Sequence, residues 1–382
     1  MLLVAVNLRG AIAAVSPVLP EVRADLGLSP AVAGLLTALP VLCFAVVAPG
    51  AAWMGRRVGL ERAILLGCLG IAVGTVARAL GGSSVLLLGT LVVGAAMTLG
   101  NVLVPVVVKR DFAARANAVT GLYTAALCAG AAATAALTAP LAAVSSWRYG
   151  LAVWALLAVL AAVVWVMATR GRHEAPGTLD AVSLRPTAAS RVWRHPVSWA
   201  VALLLGAQSV TYYSVTAWLP TLLVDDVGLD LETAGVGMSV FQVLGIAGTL
   251  LIPALAMRRP HQGWLGLLVA GGWAVMLGGL LLWPAAWVVW TVVGGVAQGA
   301  GISLAFTLLV LRSHDPEVAR DLSGMTQLVG YTLGAAGPVV VGVLYESTGG
   351  WTAPLLLLLA VTAMTGAAGV AAGRDRTIGV AA

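Results

Sequence analysis

The chain has 382 residues, 60% of them hydrophobic and 9% charged, with a formal net charge of +6 and a mean hydropathy of +1.00. Soluble domains carry about 25% charged residues, so this composition excludes a water-soluble globule. Long apolar runs between short charged loops describe an all-α polytopic membrane protein, and basic residues divided among six short loops argue against nucleic-acid binding.

The runs predict twelve spans, at roughly 2–20, 31–53, 63–80, 84–108, 116–140, 147–169, 197–222, 231–256, 264–283, 286–311, 320–345 and 351–372, each near the ~20 residues a bilayer needs. The first run reads as a span, not a leader, because no small-residue cleavage site follows a short apolar core. It carries Asn7 and Arg9, and a helix ending at Pro20 puts Arg9 near the midplane. An arginine there costs about 2.5–3.5 kcal/mol on insertion scales and usually faces a cavity or a partner. The 15 Asp and Glu fall in predicted loops or at span ends, which makes Arg9 the only formal charge expected deep in the membrane. An anionic substrate is its simplest complement. The plainer alternative is a guanidinium bonded to backbone carbonyls or snorkelling to an interface.

Basic residues alternate between loops. Arg56, Arg57 and Arg62 follow the second span, Lys109, Arg110 and Arg115 the fourth, and Arg170, Arg172, Arg185, Arg191 and Arg194 the sixth. Arg258 and Arg259 follow the eighth, Arg312 and Arg320 the tenth, and Arg374 and Arg376 the twelfth. Arg23, Arg78 and Arg148 are assigned to the opposite face. The bias predicts cytoplasmic termini in a cytoplasmic (inner) membrane. Residues 170–196, polar and containing Pro176, Pro186 and Pro196, read as a cytoplasmic linker between a half at 1–169 and a half at 197–382. Cys43, Cys68 and Cys128 lie in apolar runs and read as core residues, not as a disulfide framework or a metal cluster. Tryptophans near span ends, such as Trp53, Trp283 and Trp351, read as interfacial anchors.

The halves echo each other at an offset near 200. Leu19-Pro20 parallels Leu219-Pro220, and Pro49 before Arg56-Arg57 parallels Pro253 before Arg258-Arg259. Parallel repeats of this kind are a transporter architecture with substrate held near the midplane. The repeat also predicts polar faces. Gly94, Thr98, Asn101 and Pro105 share one face of the fourth span, and Gly294, Gln298, Gly301 and Ala305 share the matching face of the tenth. Ser209, Tyr213, Thr216 and Pro220 stand where Arg9, Ala13, Ser16 and Pro20 stand, with Gln208 and Tyr212 beside them. Gly324, Gln327, Tyr331 and Gly334 form a fourth face. Each face can equally serve helix–helix packing.

Four stretches carry a family resemblance: Asn7-Leu-Arg9, Gly100-Asn101 through Lys109-Arg110-Asp111, Gln208-Ser209 with Tyr212 or Tyr213 and Trp218-Leu-Pro220, and Leu322 through Gln327 to Tyr331. On these the chain resembles a major facilitator superfamily transporter, and more narrowly the cyanate permease (CynX/NimT) branch, which includes cyanate and nitroimidazole transporters. The segment Gly55-Arg56-Arg57-Val-Gly59 is a degenerate copy of the superfamily's loop signature. The Gly-Pro pair of drug–proton exchangers is missing from the fifth span, and a Gly337-Pro338 pair occurs in the eleventh.

The resemblance implies the twelve-helix fold, halves that rock about a central site, and a cyanate-like cargo. The residues imply a small, negative or strongly polar substrate. Arg9 would supply counter-charge, with Asn7, Asn101, Gln208, Tyr212, Tyr213, Gln298, Gln327 and Tyr331 supplying directional bonds. His173, His195, His261 and His314 fall in loops. The expected mode is therefore facilitated diffusion, exchange, or cotransport in which the substrate carries the proton. The alternatives are export of a small heterocycle stacked on the tyrosines and a non-transporting membrane sensor. An enzyme is the least favoured class. A monomer with no metal and no cofactor is expected.

Overall fold

The computed structural model describes residues 1–112, 115–170, 189–259 and 261–378, which leaves most of the expected linker outside the described residues. Sixteen α-helices run through the described residues. They are α1 (Leu2–Ala13), α2 (Leu19–Leu26), α3 (Pro30–Val46), α4 (Ala48–Val58), α5 (Leu60–Leu80), α6 (Ser83–Asp111), α7 (Ala116–Ala143), α8 (Trp147–Ala152) and α9 (Trp154–Thr169). After them come α10 (Ala189–Arg194), α11 (Pro196–Leu222), α12 (Leu231–Ala256), α13 (Gly263–Leu282), α14 (Trp287–Leu311), α15 (Pro316–Thr348) and α16 (Thr352–Ala372). Among the described residues, eleven stretches are long and apolar enough to cross a membrane, and α3 with α4, bent by 59°, makes a twelfth. Apolar side chains such as Val73, at 65% exposure, and Leu282, at 84%, cover their outer surface. In water such a surface would aggregate, whereas in lipid it is the solvated face.

Two expected straight spans are broken, and proline explains both. Pro49 enters α4 without an N–H, so the carbonyl four residues earlier loses its partner and the helix bends. The first span stops at Ala13, makes a 3₁₀ turn over Ser16–Val18 and resumes as α2. Pro17 cannot donate to the Ala13 carbonyl, and the Ser16 hydroxyl donates to it instead at 3.2 Å. Val15 N–H turns to the Ile12 carbonyl at 3.2 Å. The Ala11 carbonyl, freed by that shift, accepts from Arg78 Nη1 at 2.9 Å.

The chain divides into two compact units. One holds Met1–Leu28, Leu35–Leu184 and Asp230–Ser239, and the other Ser29–Gly34, Arg185–Leu229 and Val240–Ala382. The first turn of α3 thus belongs with the second unit and the start of α12 with the first. In the first unit α5 lies on α6 and α1 on α7. A Cβ on Gly130 of α7 would overlap the Val6 carbonyl of α1, so the two backbones touch there. Around this crossing Val4, Leu8, Ile64, Met97 and Trp165 form the core. In the second unit α11 lies on α15 and α13 on α16, with the Gly266 and Gly369 backbones in contact. Close backbone approach supplies the dispersion that holds helices together in lipid, where apolar burial supplies little.

Two arginines depart from expectation. Arg78, assigned to an outer loop, is buried at 1% exposure, and Arg312, assigned to a cytoplasmic loop, at 2%. Arg9 is therefore not the only guanidinium inside the fold. Arg312 donates from Nε to the Ala372 carbonyl at 2.9 Å and from Nη2 to the Gly373 carbonyl at 3.1 Å. Its Nη2 also meets the Gln262 side chain, and its Nη1 lies 3.5 Å from Asp375. Arg78 closes the gap in the first span, but its Nε and Nη2 have no hydrogen-bond partner among the described residues.

Candidate substrate site

In the first unit the polar residues gather on α1, α6 and α7. Gly10 and Gly130 set the α1–α7 crossing, where a Cβ on Gly10 would lie 3.0 Å from Thr134. Arg9 emerges beside this crossing, half-buried, with Nη1 4.0 Å from the Cys128 sulfur of α7. Its neighbour Leu8 fills the space over Gly100 of α6. Asn101 follows at once, half-buried, and its Oδ1 accepts from Tyr123 of α7 at 3.5 Å. Arg9 and Asn101 are thus the residues that follow the Leu8–Gly100 contact on α1 and α6. Asn7 points elsewhere. Two residues on a helix are about 200° apart, and Asn7, at 5% exposure, donates to Leu3 at 2.8 Å and to Leu157 of α9 at 3.4 Å.

In the second unit Gln208, Tyr212, Tyr213 and Gln298 form a buried neutral network. Gln208 Nε2 donates to the Gln298 carbonyl at 3.0 Å, and its Oε1 accepts from Trp273 at 2.9 Å. The Gln208 side chain lies against Gly301. Gln298 reaches the Phe241 carbonyl at 3.5 Å. Tyr212 donates to Gln242 at 3.1 Å and meets Tyr213 edge-on at 4.9 Å. Phe241 lies between Tyr212 and Trp273, at 6.3 and 5.9 Å. Gln327 and Tyr331 lie on one face of α15, both half-buried, and Gln327 donates to Ser323 at 2.8 Å.

Sequence reasoning missed Trp273, Gln242 and Phe241. An isolated glutamine within an apolar run was the available signal for Gln242. Trp273 lies mid-span, where an interfacial reading does not apply. Among the described residues no group of three His, Cys, Asp or Glu could hold a metal. At the far end of α6, Arg110 pairs with Glu61 at 2.6 Å and with Asp111 at 2.6 Å, which holds its guanidinium pKa above the usual value. An acidic partner for the basic loop is therefore present at Glu61.

The Major Facilitator Superfamily profile matches residues 1–336. The chain is 37% identical over 382 residues to an uncharacterized transporter, YycB, of Bacillus subtilis (strain 168), covering 99% of this chain and 93% of that protein. It is 34% identical over 379 residues to the 2-nitroimidazole transporter of Escherichia coli (strain K12), covering 99% and 95%. It is 31% identical over 353 residues to the cyanate transport protein CynX of the same organism, covering 92% and 90%. A crystal structure of a mutant nucleoside transporter, NupG, superposes with a TM-score of 0.80 at 13% identity, covering 97% of this chain and 98% of that one. This multi-pass membrane protein, with its apolar spans and with relatives that match along 99% of its length, belongs to the Major Facilitator Superfamily and is a transporter.

Proposed function

We propose that the chain moves a small anion, cyanate-like in size and charge, across the cytoplasmic membrane by alternating access of its halves at 1–169 and 197–382. Both termini and the 170–196 linker lie on the cytoplasmic side, and the carrier works as a monomer. Arg9 is the counter-charge, and Asn101 with Tyr123 adds directional bonds. The carrying observation is the half-buried Arg9 guanidinium on a broken apolar span. Similarity to a cyanate transport protein supports the choice of cargo. Gln208, Gln298, Tyr212 and Tyr213 act by holding the shape of the second half.

Charge-assisted bonds are about twice as strong as neutral ones, and a lysine cannot reproduce the planar fork. In proteoliposomes Arg9→Ala abolishes uptake of labelled cyanate and Arg9→Lys reduces it. Normal uptake by Arg9→Ala overturns the assignment. No step needs a protein carboxylate to carry a proton, so coupling is by exchange, by diffusion or through a protonated substrate.

A second reading, movement of a small uncharged heterocycle, draws on the aromatic cluster of Tyr212, Tyr213 and Phe241 and on the 2-nitroimidazole relative. Competition separates the two. Inorganic anions displace a charged cargo, and uncharged imidazoles displace the other.

A further inference from the structure

An open pocket of about 520 Å³ lies in the second unit where α13 begins and α16 ends. Arg259, His261, Trp264 and Arg374 line its mouth, and Leu267 and Val370 its apolar side. Its floor is backbone: a Cβ on Gly373 would lie 2.6 Å from the Gly263 Cα. The Arg259 guanidinium stands 5.8 Å over the Trp264 ring, whose buried indole N–H has no hydrogen-bond partner. The amino-terminal end of α13 adds the positive end of a helix dipole.

No carboxylate lines the pocket among the described residues. Asp375, the nearest in sequence, pairs with Arg312. Gln262 spends its amide on the carbonyls of Ala256 and Arg259 and its oxygen on Arg312. The chain after α16 is held in place, since Ile378 N–H donates to the Arg312 carbonyl at 2.8 Å and His314 N–H to the Ile378 carbonyl at 3.1 Å. The walls are thus preformed, and no described carboxylate lines the mouth to compensate its charge. Below the mouth, Leu267 and Leu268 are 59% and 52% exposed, on the surface that lipid covers.

A basic mouth above an apolar wall at a membrane boundary matches one kind of molecule. We propose that this pocket binds the phosphate headgroup of an anionic phospholipid. Arg259 and Arg374 contact the phosphate, and the acyl chains descend along Leu267 and Val370. Free phosphate would satisfy the guanidinium groups but leave the apolar side unused. Basic recesses between spanning helices recognise anionic headgroups by this division of labour.

The test is thermal unfolding of purified, delipidated full-length protein in a neutral detergent, titrated with short-chain phosphatidylglycerol, phosphatidylcholine of equal chain length, or inorganic phosphate. The expected result is a midpoint that rises with phosphatidylglycerol and stays flat with the other two. The double variant Arg259→Gln with Arg374→Gln keeps its lipid-free midpoint and binds phosphatidylglycerol roughly 30-fold more weakly. The paired lysine variant retains most of the binding. An equal rise with phosphatidylcholine, an equal rise with inorganic phosphate, or an undiminished rise in the double glutamine variant overturns the proposal. Should the double variant fold poorly, native mass spectrometry of each single variant reads retained phosphatidylglycerol directly, and full retention in both overturns it. Arg9→Ala leaves the phosphatidylglycerol response unchanged, so this test stands apart from the cargo assignment.

Discussion

The polar groups of the two units occupy corresponding stretches of sequence and differ in kind. On α1, α6 and α7 the group is charged and half-open, with Arg9 and Asn101 both partly exposed. On α11–α14 it is neutral and sealed, with Gln208 and Gln298 at 2% exposure and Gln242 at 1%. The offset that aligns Arg9 with Ser209 and Asn101 with Gly301 preserves helix packing and exchanges the chemistry. On the proposed assignment, recognition falls to the first group and rigidity to the second. The buried arginines repeat the lesson. Arg312 is saturated by two carbonyls, Gln262 and Asp375, whereas Arg78 makes one bond and leaves two nitrogens without partners.

Six substitutions, arranged in four tests of falling effect, press on this contrast. Arg9→Ala takes proteoliposome uptake to background while the thermal midpoint moves little; a variant that unfolds instead would make Arg9 structural. Gly130→Leu drives a side chain into the α1 backbone and costs about 3 kcal/mol or more, read as loss of monodisperse protein on size exclusion. Arg312→Met strands the carbonyls of Ala372 and Gly373 and costs about 2–4 kcal/mol, whereas Arg78→Met removes two unbonded donors along with one bond and costs under about 1 kcal/mol. Equal losses in thermal unfolding would erase the distinction between the two arginines. Gln298→Leu lowers stability by about 1–2 kcal/mol and leaves the KM for cargo within about threefold, while Asn101→Ala raises that KM at unchanged stability. The reverse pattern would move recognition to the second unit.

A milder effect concerns pH. The Thr233 backbone N–H and hydroxyl both donate to Asp230, at 2.8 Å each, and hold its carboxyl below the usual range. A depressed folded pKa stabilises above the unfolded value and is lost as pH falls through the folded one. The start of α12 therefore loosens only in strong acid, and Asp230→Asn flattens that dependence in an acid-unfolding titration.

Arg9 was legible because a charge amid apolar residues has few explanations. The spans were legible because each must satisfy its own backbone across a fixed thickness. Arg78 and Arg312 were not, since a long side chain at a span end can turn outward to water or inward to a carbonyl, and only the neighbouring helices decide. Pro17 and Pro49 lie inside stretches read as unbroken spans, and at Pro17 the form of the break depended on the donors at hand, the Ser16 hydroxyl for the Ala13 carbonyl and Arg78 for the Ala11 carbonyl. Spacing on helix faces brought out Gln208 and Gln298 without revealing that they bond each other and Trp273. A face shows where a side chain starts, not what it meets.

The interruption in the first span bears on how the protein is made. α1 has 12 residues, about 18 Å of helix, against a hydrocarbon thickness of about 30 Å. It leaves the ribosome carrying Arg9 and a frayed carboxyl end. The guanidinium that covers the Ala11 carbonyl is encoded 67 residues further on, and the Gly130 surface that receives Val6 later still. The nascent chain must therefore keep α1 sheltered at the translocon until α5 and α7 arrive, so the packing of α1 waits on residues made after it.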